Sequence, residues 1–194
     1  MNMNMNMNMR VLVTDKLTLE PQVAAHAEEL FLILGDPAIY DFENEPPPSL
    51  EWLRARLLRL ESRTSPAGDE QWLNWVIRLP TSVLIGYVQA TLHSGGPATI
   101  AYVLSSKSWG HGLAREAVQA MLSELTAHYR VDGFCAVLKR ENVRSLRLLE
   151  RLGFSPASPS QHASRNLFRS GTLIATYFSK FCIIVFGLVR DTQF

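Results

Sequence analysis

Cysteine is scarce in this 194-residue chain: only Cys135 and Cys182 occur, each inside an apolar run. Neither has the CxxC or Cys/His spacing of a metal site, so no metal is expected and both read as buried free thiols. Excess charge is missing too. Nineteen Lys and Arg face eighteen Asp and Glu, a formal net charge of +1, which gives no field suited to gripping a polyanion and argues against nucleic acid as a partner. The opening Met-Asn repeat lacks the basic stretch and apolar run of a secretory signal, which points to the cytoplasm. A P-loop is absent as well, since no GxxxxGK[ST] occurs. Carboxylates vanish from residues 164–190, where residues 173–189 are apolar except for Thr176, Ser179, Lys180 and Gly187. At that length, with a central lysine, the run is marginal for a membrane span, and a membrane is not the expected partner.

What is present, 47% hydrophobic residues, suffices for one α/β domain of the α+β type. Residues 1–10 read as a low-complexity, mobile tail, residues 11–163 as the domain, and residues 164–194 as an atypical segment holding the last two strands of the same domain. Alternation around Leu17, Leu19 and Pro21 suits a first strand. A helical period through Ala24, Ala27, Leu30, Phe31 and Leu34 then stops at Gly35. Ser49 caps a second helix carrying Trp52, Leu53, Leu57 and Leu60. Strands over residues 72–79, 83–91 and 99–104, with short connections, predict an antiparallel meander. A helix over 113–129, a buried strand over 134–138 and a helix over 142–152 ended by Gly153 follow. Residues 172–178 and 181–189 supply the final strands. The sum is a mixed, mostly antiparallel sheet flanked by helices.

Chemistry concentrates in residues 100–117, IAYVLSSKSWGHGLAREA, where a strand passes through a polar turn and Gly110-His111-Gly112 into a strong helix. Glycines let successive backbone N–H groups converge, and the first helical turn adds the positive end of its dipole, so a phosphate or pyrophosphate is the expected ligand. Gly110 and Gly112 also begin a dinucleotide-type G-x-G-x-x-G, with Asp132 about where a ribose acid would stand. Arg115 fills its third small position, however, and a meander lacks the βαβ unit that motif requires.

Lys107-Ser108-Trp109-Gly110-His111-Gly112 followed by Leu113-Ala114-Arg115-Glu116-Ala117 resembles the R/Q-x-x-G-x-G/A signature of the GNAT acetyltransferases in its W-G-x-G-x-A-x-E-A form. Asn142-Val143-Arg144-Ser145 and then Leu152-Gly153-Phe154 resemble that superfamily's second motif, N-x-x-S ending in L-G-F. The opening Thr14-Asp15-Lys16-Leu17-Thr18-Leu19-Glu20-Pro21 resembles the branch containing the ribosomal-protein acetyltransferases RimJ and RimL, and the likeness covers roughly residues 14–154.

The resemblance implies acetyl-CoA as cosubstrate. It places Leu104 and Ser105 beside the pantetheine arm, and the amides of Lys107, Ser108, Trp109, Gly110, His111, Gly112, Leu113 and Ala114 around the pyrophosphate, with Asn142 reaching in from the next helix. It implies an acetyl acceptor with a primary amine, a small molecule or a protein N-terminus, and leaves a homodimer open. The sequence departs from the pattern in two places. Lys107 stands for the usual Arg or Gln, keeping a donor but losing planar bidentate geometry. Leu149 fills the slot of the family's acidic Tyr, leaving Ser145 as the nearest matching hydroxyl and candidate catalytic group. The strand over 99–104 holds no carboxylate, so Asp41, Glu43, Glu45 and His93 are the candidate bases. Asn142 and Ser145 also have plainer readings, as a helix cap and as a small packing residue. Trp109 is expected to pack beneath the loop and His111 to face solvent. Two other readings stand behind the acetyltransferase: a catalytically weak acyl-CoA-binding relative, and a membrane-tethered interaction protein.

Overall fold

Side chains alternate between two apolar clusters along the central strands, and that alternation organises a sheet covered on both faces. The computed structural model describes residues 9–42, 45–94, 96–156, 172–177 and 181–183. Its strands are β1 (Leu12–Val13), β2 (Thr18–Pro21), β3 (Glu70–Arg78), β4 (Leu84–His93), β5 (Ala98–Leu104), β6 (Phe134–Lys139), β7 (Thr172–Tyr177) and β8 (Phe181–Ile183). Its α-helices are α1 (Ala27–Leu34), α2 (Leu50–Leu60), α3 (Leu113–Tyr129) and α4 (Val143–Arg151). Leu73, Trp75 and Ile77 of β3 join the cluster built with α3 and α4, whereas Trp72 and Val76 join the one built with α1 and α2.

Local signals account for most boundaries. Ser49 Oγ accepts from the Trp52 N–H at the start of α2, and Gly153, at φ 90°, closes α4 with the Phe154 N–H on the Leu149 carbonyl. The expected first helix begins as a single 3-10 turn over Ala24–His26 before α1 takes over. Strand β1 was not foreseen. It forms a hairpin with β2, and Arg10 beside it pairs with the buried Glu124 of α3 while its carbonyl accepts from Trp75 Nε1. Strand β7 lies antiparallel to β6 over Thr172 to Ala175 and also pairs with β8. The rest of the residue 164–194 segment lies outside the described residues. Among those residues, no helix is long and apolar enough to cross a membrane, and the Cys135 side chain is buried.

The meander β3–β4–β5 is antiparallel throughout, and β5 then meets β6 in parallel. That last pairing is brief. Ala98 faces Phe134 and Thr99 faces Cys135, after which β5 continues to Leu104 without a partner on that side among the described residues. On its other side β5 is pressed against β4 at Gly86, opposite Leu104, where a Cβ would lie 2.0 Å from the Val103 carbonyl oxygen. The turn after α1 is tied to the end of β5 as well: Asp36 Oδ2 accepts the Ser106 N–H at 3.3 Å, and its Oδ1 accepts the Ala38 N–H at 3.0 Å. The Ser106 hydroxyl, those N–H groups and nearby Lys107 hold the Asp36 carboxyl below its ordinary value.

Two measurements check this scaffold. Gly86→Ala should lower unfolding free energy by about 1–3 kcal/mol, the usual cost of overpacking, because the backbone of β5 must move away; unaltered chemical denaturation would contradict the close approach. A carboxyl with a depressed folded pKa contributes stability above its unfolded value, about 3.9, and loses it as pH falls through the folded value. Protection of the Ser106 amide from exchange, taken relative to its intrinsic rate at each pH, should therefore hold at neutral pH, fall only below about pH 4, and be reduced throughout in Asp36→Asn.

Candidate functional site

Strand β5 ends at Leu104, and the chain makes one 3-10 turn over Ser106–Ser108 before running extended through Trp109. Gly110 at φ 81° and Gly112 at φ 76° then take left-handed conformations that L side chains rarely adopt, and Gly112 is the N-cap of α3. No side chain caps that helix. The backbone N–H groups of residues 110–115 consequently have no acceptor among the described residues; the first amide of α3 to find one is that of Glu116, on the Gly112 carbonyl. Gly110, His111 and Gly112 are exposed, so these donors open outward. An oxyanion there meets converging N–H groups and the positive end of a 17-residue helix.

The acidic residue in the first turn of α3 does not compete for those donors. Glu116 Oε1 turns back to accept from Thr14 Oγ1 at 2.6 Å and from the Lys16 N–H at 2.9 Å. Several amides expected at the ligand are used within the protein instead. The Ser105 N–H goes to the Ile85 carbonyl, that of Ser108 to Ser105 and that of Trp109 to Ser106. The Lys107 N–H has no acceptor among the described residues, and its side chain is exposed.

Trp109 locks the loop from below. Its Nε1 donates to the Leu104 carbonyl at 3.0 Å, its ring packs on the core, and the guanidinium carbon of Arg144 lies 3.7 Å from the ring centroid. Such a stack contributes about 0.5–1 kcal/mol at an exposed site. It also holds a cation from the start of α4 beside the loop of unpaired amides. Neither Arg144 nor Asp36 stood out in the sequence, although Arg144 lies inside the N-x-x-S motif.

Asn142 caps α4, with Oδ1 accepting the Ser145 N–H at 3.1 Å, while its Nδ2 has no acceptor among the described residues. Tyr102 was missed by the sequence reading. It lies on β5 beyond the last pairing with β6, and its hydroxyl donates to the Ser145 carbonyl oxygen at 3.5 Å. Leu149, in the slot of the family's Tyr, is fully buried. Among the candidate bases, Asp41 and Glu45 are exposed, and Glu43 lies outside the described residues. His93 is held at the closed end of the β5–β6 gap. Its Nδ1 lies 3.4 Å from Glu70 Oε1, and its Nε2 lies 3.0 Å from Thr99 Oγ1.

A curated N-acetyltransferase, p20 of Bacillus licheniformis, whose function is uncharacterized, is 26% identical over 145 residues, covering 74% of this chain and 81% of its own. The ribosomal-protein-S5-alanine acetyltransferase of Vibrio fischeri superposes with a TM-score of 0.67 at 17% identity, covering 87% of this chain and 95% of its own. RimL, the ribosomal L7/L12 α-N-protein acetyltransferase solved in complex with coenzyme A, gives a TM-score of 0.67 at 16% identity, covering 77% and 86%. Residues 16–155 match the acetyltransferase (GNAT) domain model, and the chain belongs to that family.

Proposed function

We propose that this protein is an N-acetyltransferase that moves the acetyl group of acetyl-CoA to a primary amine by direct attack. The observation that carries the reading is the run of unpaired N–H groups over residues 110–115, directly after a strand whose outer edge is open beyond Thr99. A pyrophosphate fits the first feature and the amides of a pantetheine arm fit the second, pairing with β5 as a strand would. The Asn142 carboxamide retains its Nδ2 donor for the same ligand. RimL holds coenzyme A in the same fold, which supports the assignment.

Attack needs a neutral amine, a polarised thioester carbonyl and a proton for the departing thiolate. A backbone N–H of β5 near Leu104 serves the carbonyl. The proton leaving the substrate ammonium passes to water or along the Thr99–His93–Glu70 chain at the closed end of the gap. The Ser145 hydroxyl serves the sulfur. Two structural neighbours carry names of enzymes that act on ribosomal proteins, which favours a protein N-terminus as the acceptor. Acetylation of a peptide panel, read against a panel of small amines by free-thiol release, tests that choice; transfer confined to small amines would overturn it.

The anion site is tested by charge alone. A Cβ at Gly112 meets nothing within 4 Å, and Asp tolerates the left-handed region, so Gly112→Asp should fold. A carboxylate about 5 Å from a phosphate costs roughly 3 kcal/mol at an effective dielectric of about 20, which weakens acetyl-CoA binding roughly 100-fold. Gly112→Asn, of the same shape without the charge, should lose far less. Calorimetry showing equal affinities for Asp and Asn variants would remove the pyrophosphate from this loop. Ser145→Ala should lower turnover by about 10²- to 10⁴-fold with acetyl-CoA affinity kept, the range expected for loss of an acid group; an unchanged turnover number would leave Ser145 a packing residue.

A further inference from the structure

A basic residue is a costly choice for the first turn of a helix, because the unpaired N–H groups there already present positive charge. Arg144 nevertheless stands second in α4, after the Asn142 cap and Val143. Burial does not account for it, since Arg144 is exposed. Ion pairing does not account for it either. Among the described residues its one hydrogen-bonding, ionic or ring contact is with Trp109, whose ring centroid lies 3.7 Å from the guanidinium carbon. That is van der Waals contact, the separation of a stacked plane, and stacking leaves the five N–H donors at the edge of the plane free. The ring is itself fixed, because Trp109 Nε1 donates to the Leu104 carbonyl at 3.0 Å. Gly110 follows directly, so a cation is held in place beside the run of unpaired amides over residues 110–115.

The other cations near that run are differently placed. Lys107 lies close enough to Asp36 to help hold that carboxyl below its ordinary value, which offsets part of its own charge. Arg115, in the first turn of α3, is exposed and has no contact that fixes its head among the described residues. We infer that Arg144 is a specificity-determining residue for the acyl donor: docked on Trp109, its guanidinium binds a phosphate oxyanion of the donor, so that the site favours thioesters of a phosphorylated carrier. This rests on the acetyl-CoA reading above. Acetyl-CoA offers two kinds of phosphate, the pyrophosphate and the ribose phosphomonoester, and the fork of N–H donors suits either. The stack on the indole pre-organises the fork, so little side-chain freedom is lost when the ligand arrives. An arginine that costs α4 something in isolation is thereby used by the ligand.

Calorimetry with acetyl-CoA on wild type, Arg144→Met and Arg144→Lys tests this. Methionine keeps an unbranched apolar chain against the indole and removes the charge, whereas lysine keeps the charge and loses the fork. At low salt Arg144→Met should bind acetyl-CoA about tenfold more weakly than wild type, with Arg144→Lys between the two. The deficit of Arg144→Met should shrink severalfold at about 1 M salt, where the screening length is only about 3 Å; a loss caused by altered packing of the loop would not shrink. Dephospho-acetyl-CoA, which lacks the ribose phosphate, separates the two sources. A deficit that persists with it assigns the pyrophosphate, and one that disappears assigns the ribose phosphate, both in keeping with the proposal. Equal affinity of wild type and Arg144→Met at low salt, or a deficit that salt leaves unchanged, would overturn the proposal and leave the transferase reading intact. A wild-type chain that binds no acetyl-CoA at any salt concentration would overturn that reading and this one together.

Discussion

Two parallel neighbours that pair for only two residues govern the rest of this protein. Strands β5 and β6 are joined at Ala98 with Phe134 and at Thr99 with Cys135, and then separate. A sheet interior normally satisfies every backbone donor and acceptor, so an open stretch in mid-sheet is tolerated only where something else can occupy it. The surrounding structure keeps the gap from closing. Gly86 lets β4 press on β5 from the far side, and the Trp109 indole holds the Leu104 carbonyl at the strand's end. Beyond the gap, β6 takes β7 as its antiparallel partner.

The end of β5 delivers the chain to the second constraint, a helix that starts without a side-chain cap. Gly112 occupies the position where Ser, Thr, Asp or Asn would ordinarily satisfy an amide, and Glu116 spends its charge on Thr14 and Lys16. These choices leave the N–H groups of residues 110–115 without an acceptor among the described residues. The donors are backbone groups, so the proposed anion site needs no basic composition, in keeping with a formal net charge of +1. Asp36 and Arg144 fix the loop from opposite ends of the sequence, one through the Ser106 amide and one through the Trp109 ring.

Much of this was legible in the sequence wherever a signal is local. The Ser49 cap, the Gly35 and Gly153 stops and the three-strand meander depend on residues within a few positions of one another. The glycines before α3 likewise declare their conformation by their identity. What stayed hidden depends on distance along the chain. The period of β5 put Tyr102 on a buried face with Ile100 and Leu104, but nothing in one sequence says that the phenol meets Ser145, 43 positions later. The same holds for Asp36 with Ser106, for Arg144 with Trp109, and for Arg10 with Glu124, which draws part of the expected mobile tail onto α3. His93 appeared in the sequence as one of four loose candidates; only the fold supplies Glu70 on one ring nitrogen and Thr99 on the other.

In the proposed complex one continuous ligand lies along the open edge of β5 and ends on the start of α3. Titrating isotope-labelled protein with acetyl-CoA and following its backbone amide resonances tests this most directly. Large shifts are expected in two stretches, the amides of residues 110–115 as they meet phosphate oxygens and those of residues 100–104 as the strand edge becomes paired. Saturable binding that leaves both stretches unmoved, or that shifts residues 110–115 while residues 100–104 stay still, would contradict it.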